Sequence, residues 1–405
     1  MVQIMESQKD ILMVIPVMHG GGAERVATLL LNEFKKQGHN CEVLLTNDKP
    51  DKIVRNELSP DIPINLLQDL PFFHRKRKSL LFFMKWYSTL TCRFFELIRQ
   101  PVPSHFAYCS FVVQYHREIE AFHEYLKKRP RTIVITFLQP SIPIVLLATR
   151  HLVNYIVFSE RGDAKRLMRS RYGQNFIEKY YKRANAVVFQ TEEAKNAYPS
   201  NISDKGHIII NPITSNLPNA FDGERKQIIN TFCRISKQKN LPLLINAFYI
   251  FHKIHPEYKL HIIGSSFNEE GDEVLNDLRQ IIKSSRLEKD ISFIPFSQSV
   301  HNDIKNDSIY VNSSDYEGIS NAMLEAMAIG LPTICTDCPV GGARTIIRDH
   351  WNGILVPVRD VNQMANAMIE VIDNPELSRK MSENGRKIRK ELNIENIAKQ
   401  WLEVL

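Results

Sequence analysis

Residues 11–46 read ILMVIPVMHGGGAERVATLLLNEFKKQGHNCEVLLT. The apolar run Ile11–Val17 predicts a buried strand, and Gly20-Gly21-Gly22 predicts a tight loop after it. Apolar residues at helical spacing predict a helix over about 23–37, which Gly38 ends. The run Cys41–Thr46 predicts the next strand. This β-α-β unit is typical of a parallel sheet with helices on its faces.

The same alternation continues along the 405 residues and indicates two doubly wound α/β domains. We predict a first domain over 1–213, a linker over 214–226 that contains Pro, Asn and Gly, and a second domain over 227–385. Further strands of the first domain are predicted at 132–137, 155–159, 186–190 and 208–210. Those of the second are predicted at 228–232, 259–263, 291–293, 308–312, 332–335 and 353–356. Ligands of such sheets bind beyond the carboxyl ends of the strands, so the loops there are the candidate sites.

Composition is that of an ordinary globular protein, with 43% hydrophobic and 24% charged residues. No apolar run is long enough to span a bilayer, and no apolar signal core precedes Ile11, so we expect a cytoplasmic protein. The net charge of +7 is concentrated in segment 72–99, which carries seven basic residues and one acid. Its basic residues are Arg75, Lys76, Arg77, Lys78, Lys85, Arg93 and Arg99.

Segment 72–99 also contains eight aromatic residues. Apolar residues recur there at helical spacing: Phe83, Trp86, Leu90, Phe94 and Leu97. A basic amphipathic stretch of this kind favours the surface of an anionic membrane, and the charge does not suggest nucleic-acid binding. The alternative is a helix that packs on the core with its basic face in solvent.

The densest group of polar residues is the sequence SDYEGISNAMLEAM at 314–327. It predicts a strand end, a turn at Glu317-Gly318 and a helix that begins near Ser320 and stops at Gly330. The amides of Ile319, Ser320, Asn321 and Ala322 would form an anion site at the helix start, with Glu317 and Glu325 on either side. The alternative is an ordinary strand-turn-helix with two solvated glutamates.

A second candidate loop, Arg234-Ile235-Ser236-Lys237-Gln238-Lys239-Asn240, follows the strand at 228–232. Arg234 and Lys239 would converge on phosphate groups bound at the anion site of the helix start at 319–322. The chain contains no D-x-D motif that would recruit a metal to a diphosphate, so we expect the two cations to replace it. Cys335 and Cys338 form a lone C-x-x-C without a second ligand pair, and we expect no metal site and no cofactor.

The pair Glu317 and Glu325, spaced E-x7-E, resembles the signature of the retaining glycosyltransferases of family four, which have the GT-B fold. Arg234 and Lys239, the strand that ends in Gly264, the Gly341-Gly342 turn and the triglycine loop match the same pattern. The resemblance implies two Rossmann-like domains that face each other across a cleft. It also implies a C-terminal segment, 386–405, whose helix packs back on the first domain.

The resemblance implies a role for each of these residues. Glu325 would bind the donor ribose, Glu317 would face the transferred sugar, and Arg234 and Lys239 would neutralise the diphosphate. Residues 318–322 and Gly264 would complete the donor site. The loop of Gly20, Gly21 and Gly22 would approach the phosphate and the acceptor.

Three positions depart from the family pattern, and one further loop resembles relatives. Cys233 and Asn240 stand where glycine is usual, and Thr345 stands where a glutamate is common. Asn240 is a mild change because asparagine tolerates positive φ. The loop Ser159–Asp163 resembles an S-E-R-x-D loop, so Glu160, Arg161 and Asp163, with His19, are candidate acceptor or sugar contacts. An internal ion pair at a helix N-terminus is the equal alternative for that loop.

The function predicted is the transfer of a hexose or N-acetylhexosamine from a nucleotide sugar, with retention of configuration and with UDP as the favoured nucleotide. The acceptor would be a glycan or a lipid-linked oligosaccharide of a surface polysaccharide such as capsule or lipopolysaccharide. The protein would sit peripherally on the inner membrane. Alternatives are a nucleotide-sugar epimerase of the same fold, a catalytically silent relative, and an NAD-dependent oxidoreductase. The last is weak because Arg25 replaces the third glycine of G-x-G-x-x-G.

Overall fold

The structure, a computed structural model, describes residues 8–19, 21–47, 57–73, 104–139, 141–162, 180–266, 268–295 and 299–405, with positions 87, 90, 91, 94, 95, 97 and 297. It divides into two compact units. Unit 1 comprises Met1–Ile209 with Ile397–Leu405, and unit 2 comprises Ile210–Asn396. Of the predicted C-terminal segment, residues 397–405 therefore belong to unit 1 and the rest to unit 2.

Unit 1 contains a seven-stranded parallel sheet in the order β3-β2-β1-β4-β5-β6-β7. Its strands are β1 (Asp10–Ile15), β2 (Asn40–Leu45), β3 (Ile64–Leu66), β4 (Ile133–Phe137), β5 (Ile156–Ser159), β6 (Ala186–Phe189) and β7 (Gly206–Ile208). The predicted parallel sheet is confirmed. Strand β3 was not predicted, and β7 begins and ends two residues before the predicted 208–210.

The described helices of unit 1 lie between these strands. They are α1 (Gly22–Lys36), α2 (Ser104–Gln114), α3 (His116–Lys127), α4 (Ser141–Ala148), α5 (Glu192–Asn196) and α6 (Ser200–Ser203). Helix α1 buries its predicted apolar face, and Gly38 follows it with φ +91°, a conformation that few residues besides glycine adopt. The predicted β-α-β unit at the start of the chain is thus confirmed.

Unit 2 contains a six-stranded parallel sheet in the order β10-β9-β8-β11-β12-β13. Its strands are β8 (Lys226–Phe232), β9 (Lys259–Ile263), β10 (Ile291–Ile294), β11 (Asp307–Asn312), β12 (Thr333–Thr336) and β13 (Ile354–Val356). Each lies within two residues of a predicted strand, because apolar runs buried on both faces mark parallel strands clearly.

The helices of unit 2 cover this sheet. They are α7 (Leu241–His252), α8 (Glu269–Ser284), α9 (Val300–Ile304), α10 (Asn321–Ala328), α11 (Gly342–Ile346), α12 (Val361–Asp373), α13 (Pro375–Gly385) and α14 (Ile388–Glu391), and α15 (Ile394–Val404) leads into unit 1. Helices α7 and α12 bury Phe248, Phe251 and Met368 in one core with the strands. Among the described ranges, no helix combines the length and hydrophobicity that a membrane crossing requires.

The strand order of unit 2 reverses between β8 and β11. Strands β9 and β10 extend the sheet on one side of β8, and β12 and β13 extend it beyond β11. In open α/β sheets the crevice at such a reversal, beyond the carboxyl ends of the strands, is where ligands bind. The loops after β8 and β11, residues 233–240 and 313–320, are therefore the candidate site of unit 2.

A buried carboxyl at the first residue of β11 should make the stability of unit 2 depend on pH. Burial raises the pKa of Asp307 to about 7, although Asn230 donates a hydrogen bond to its carboxyl at 2.9 Å. The folded protein then keeps a proton that the unfolded chain releases near pH 4. Asp307 therefore favours folding at low pH, and this contribution is lost progressively as the pH rises from about 4 to about 7.

We expect Asp307→Asn to match wild type most closely below about pH 4 and to become the more stable of the two as the pH rises, by about 2–4 kcal/mol at pH 8.5. Chemical denaturation across this pH range measures the difference. The control is Asp277→Asn, which removes an exposed carboxylate of α8 and should shift stability little at either pH. Parallel pH profiles for wild type and Asp307→Asn would contradict the assignment.

Candidate functional site

The loop after β11 is held rigidly by its own side chains and by β12. The Asn312 side chain accepts a hydrogen bond from the Ser314 amide at 3.0 Å. Thr336, the last residue of β12, donates its hydroxyl to the Ser314 carbonyl at 2.6 Å. These bonds fix where the chain leaves the sheet, and hence where Glu317 lies.

Hydrogen bonds also join this loop to the loop after β8. The Asp315 amide donates to the Gln238 carbonyl at 3.0 Å, and the Gln238 side chain donates to the Tyr316 carbonyl at 2.8 Å. The Ser313 hydroxyl donates to the Lys239 carbonyl at 2.8 Å. The Asn240 side chain donates to the Asp315 carboxylate at 2.7 Å. Asn240 has φ +41°, which confirms that it takes the left-handed conformation of the glycine it replaces. The two loops thus form one structure.

Lys239 and Glu317 form an ion pair where the loops meet. Lys239 Nζ lies 2.6 Å from Glu317 Oε2, and the Ser314 hydroxyl donates to the same oxygen at 2.9 Å. Burial alone would lower the pKa of Lys239, but the charges of Glu317 and Cys233 outweigh it and raise that pKa. Lys239 therefore stays protonated, and Glu317 is not the solvated glutamate of the alternative interpretation.

Arg234 occupies the start of the same loop but is exposed. Within the part of the chain that the structure describes, it makes no ion pair, whereas Lys239 has Glu317. The two predicted phosphate cations thus lie on one loop, one of them paired and the other open to solvent.

Two glycines allow backbone segments around the site to approach each other closely. Gly264, the residue after β9, has φ +152°, and a methyl group there would overlap the Cys233 carbonyl. A methyl group on Gly342 would overlap the Gly318 carbonyl in the same way. Gly264 and the Gly341-Gly342 turn therefore hold the loops that begin with Cys233 and Gly318 in place. Thr345, which stands where relatives carry glutamate, is exposed and donates to the Gly341 carbonyl at 2.8 Å.

Helix α10 begins as predicted. Ser320 is its N-cap, and its hydroxyl accepts from the Met323 amide at 3.4 Å. The side chain of Asn211 donates to the Ile319 carbonyl at 3.3 Å and to the Asn321 side chain at 2.7 Å. Asn211 is not among the residues that the sequence predicts for the site. Asn211, which lies between β7 and β8, thus positions the first turn of α10, which includes Ala322.

Glu325 lies inside α10 and is buried. Its Oε2 is 2.8 Å from Nε2 of His301, a buried residue of α9. The alternative that Glu325 is a solvated surface residue is wrong. His301 was also missed, because a lone histidine in a short helix carries no pattern that spacing analysis detects.

In unit 1, Gly21 is the N-cap of α1, Gly22 is its first residue, and His19 is exposed. Gly20 and Asp163 lie outside the described residues, as does most of segment 72–99. Glu160 is buried and accepts hydrogen bonds from the Gly162 amide at 2.8 Å and from the Tyr198 hydroxyl.

Arg161 lies against two aromatic rings. Its guanidinium is 4.4 Å from the Phe137 ring centre and 5.8 Å from that of Trp401 in α15. Burial lowers the pKa of Arg161, while the charge of Glu160 opposes the shift. The S-E-R loop is therefore packed against the C-terminal helix, and its buried side chains make internal contacts.

The two cysteines of the C-x-x-C are buried thiols. Burial raises the pKa of Cys335, in β12, and raises that of Cys338 to about 12. Protonated thiols are poor metal ligands and poor nucleophiles. Over the described ranges, no group of three or more potential metal-binding side chains was found.

Comparisons with known proteins agree with this geometry. Residues 217–388 match the family model described as glycosyl transferases group 1. An uncharacterized glycosyltransferase of Haemophilus influenzae is 27% identical over 220 residues, which cover 54% of this chain and 60% of that protein. The N-acetylgalactosamine-N,N'-diacetylbacillosaminyl-diphospho-undecaprenol 4-alpha-N-acetylgalactosaminyltransferase of Campylobacter jejuni is 31% identical over 157 residues, 38% of this chain and 40% of that protein.

The solved structure of Anabaena HepE in complex with UDP is similar over 97% of this chain and 98% of that one, with a TM-score of 0.75 and 16% identity. At this identity the likeness shows the fold alone, which is that of the GT-B glycosyltransferases. The chain spans 60% and 40% of the lengths of the two sequence relatives given above.

Proposed function

We propose that this chain, whose residues 217–388 match the family model of the glycosyl transferases group 1, transfers a sugar from a nucleotide diphosphate sugar to a hydroxyl group. The observation that carries the proposal is the joined pair of loops at the strand reversal of unit 2. It brings Lys239, Glu317 and Arg234 to the crevice where α/β sheets bind ligands.

The proposed roles follow from the chemistry of these groups. A diphosphate leaving group carries charge that must be neutralised, and Lys239 with Arg234 supplies two fixed cations without a metal ion. Glu317 beside them is a carboxylate that accepts hydrogen bonds from the hydroxyls of the transferred sugar. Glu325 would bind the ribose, and the start of α10 with Gly318 and Gly264 would complete the donor site.

The finer assignments rest on the relatives. HepE was solved with UDP, which supports a UDP-sugar donor, and the Campylobacter relative is named for an α-linked N-acetylhexosamine and a diphospho-undecaprenol acceptor. We therefore assign this chain a hexose or N-acetylhexosamine, an α-linkage formed with retention, and a glycan or lipid-linked acceptor of a surface polysaccharide. The candidate acceptor residues remain those named from the sequence, namely Glu160, Arg161, Asp163, His19 and the triglycine loop.

A thermal-shift screen with UDP-, GDP- and dTDP-sugars tests the proposed donor class. A ligand that binds only the folded state raises the melting temperature as its concentration exceeds its Kd. We expect UDP-sugars to raise it most, and to do so in EDTA. The proposal would be contradicted if none of these nucleotide sugars raised the melting temperature at millimolar concentration. Conversion of a nucleotide sugar in the absence of any acceptor would favour the epimerase alternative.

Membrane association is proposed from the helical residues between 87 and 97. Phe95 packs on Phe106 of α2, with 6.2 Å between ring centres. Apolar side chains at spacings of three and four residues are exposed, namely Tyr87 (60%), Leu90 (47%), Phe94 (57%) and Leu97 (83%). An exposed apolar stripe within a segment of net charge +6 suits the cytoplasmic face of an anionic inner membrane.

We expect replacement of Arg75, Lys76, Arg77 and Lys78 by Ser to release the protein from anionic vesicles at low salt, because each charge near such a surface is worth about 1 kcal/mol. Donor binding should not change, since the donor site belongs to unit 2. Co-sedimentation with vesicles containing phosphatidylglycerol is the measurement. The control removes four exposed lysines of unit 2 by the same substitution: Lys283, Lys289, Lys380 and Lys390. Equal behaviour of the two variants would exclude a specific role for 72–99.

A further inference from the structure

His301 and Glu325 form a buried pair beside the candidate donor site. The distance from Nε2 to Oε2 is 2.8 Å, and both side chains are almost completely enclosed. A carboxylate accepts hydrogen bonds only, so the His301 Nε2 must carry the proton. Burial of a carboxylate is costly unless hydrogen-bond donors satisfy it, so this hydrogen bond helps to fix the Glu325 side chain.

The His301 ring is itself fixed from the other side. It stands at 90° to the ring of Phe232, with 5.8 Å between their centres. Phe232 is the last residue of β8, immediately before the loop that carries Arg234 and Lys239, and its ring lies 5.1 Å from that of Tyr310 in β11. His301 therefore joins the end of β8 to the carboxylate in α10.

We propose that His301 is a positioning residue for the nucleoside part of the donor. Its hydrogen bond holds the carboxylate of Glu325 in one orientation, so that this group can accept hydrogen bonds from the ribose hydroxyls. The inference rests on the proposed function, in which Glu325 binds ribose. Helix α9 lies outside the E-x7-E pattern. Through His301 it determines how strongly the site distinguishes ribose from a sugar without these hydroxyls.

The test compares binding of UDP and of 2′,3′-dideoxy-UDP by titration calorimetry in EDTA. Wild type should prefer UDP by at least about tenfold, the size expected for hydrogen bonds to a charged group. His301→Phe, which keeps a ring but removes the donor, should reduce this preference to about twofold or less, as Glu325→Ala should. His301→Gln, which can still donate, should keep an intermediate preference.

The control is His350→Phe, because His350 is exposed and pairs with the exposed carboxylates of Asp349 and Glu370 rather than with Glu325. This variant should keep the wild-type preference. A general structural defect in His301→Phe would weaken UDP and its dideoxy analogue equally and leave their ratio unchanged.

The outcomes separate the inference from the function on which it rests. If wild type prefers UDP and His301→Phe keeps that preference, the inference is wrong and the donor site stands. If wild type binds both nucleotides equally, ribose recognition by Glu325 is wrong, and His301 has nothing to position. If wild type binds neither UDP, GDP nor dTDP, the proposed function fails together with the inference.

Discussion

Lys239→Met is expected to lower kcat/KM for the donor by about 10²–10³-fold, the usual loss when one fixed group that stabilises developing charge is removed. The structure gives the reason, because Lys239 is held protonated at the meeting point of the loops after β8 and β11. Lys239→Arg keeps the charge and should lose less. Steady-state kinetics with the donor that binds best measures the effect.

Lys237→Met is the matched control for this prediction. Lys237 lies on the same turn but is exposed, and it forms no ion pair with the described residues. It should keep nearly all activity. If Lys237→Met were as damaging as Lys239→Met, or if Lys239→Met stayed within twofold of wild type, Lys239 would not be the phosphate cation.

Glu317→Gln should lower kcat by about 10²-fold and leave the Kd of the donor unchanged or lower. Glu317 Oε2 lies 2.6 Å from Lys239 Nζ, so in the proposed site Glu317 would compete with the diphosphate of the donor for this cation. Removing the charge of Glu317 would free Lys239 for the donor while depriving the reacting sugar of a carboxylate. Glu325→Ala should show the reverse, a Kd raised by about tenfold and a smaller change in kcat.

Measuring Kd by calorimetry and kcat by product release separates the two roles. Ser314→Ala is a useful control, because it removes a neutral hydrogen bond to Glu317 without changing charge, and it should alter kcat far less than Glu317→Gln. A variant pair in which Glu317→Gln mainly weakens binding and Glu325→Ala mainly slows turnover would reverse the assigned roles.

The sheets could be predicted because their strands are apolar on both faces. The run at 259–263 and the helix start at Ser320 agree with the structure residue for residue. Strand β3 could not be found, since it has three residues and Asn65 among them is exposed. Strand β7 is equally short and mostly half-buried, so its limits were misplaced.

The site could be predicted as separate motifs but not as contacts. Lys239 and Glu317 are 78 positions apart, and only the neighbouring positions of β8 and β11 bring them together. Gly264 could be named from the family pattern, while its positive φ and its close approach to Cys233 are visible only in the folded chain. His301 and Asn211 are polar side chains without periodic context, so neither was predicted.

In the proposed reaction this chain releases a nucleoside diphosphate from a nucleotide sugar by means of its own cations, Lys239 and Arg234. The most direct measurement is nucleoside diphosphate release from the donor identified by thermal shift, in EDTA, with detergent-extracted lipids of the producing cell as the acceptor source. We expect acceptor-dependent release that persists in EDTA and falls by at least about 10²-fold in Lys239→Met. Release that stops in EDTA and returns with Mg²⁺, or that Lys239→Met leaves unchanged, would contradict it.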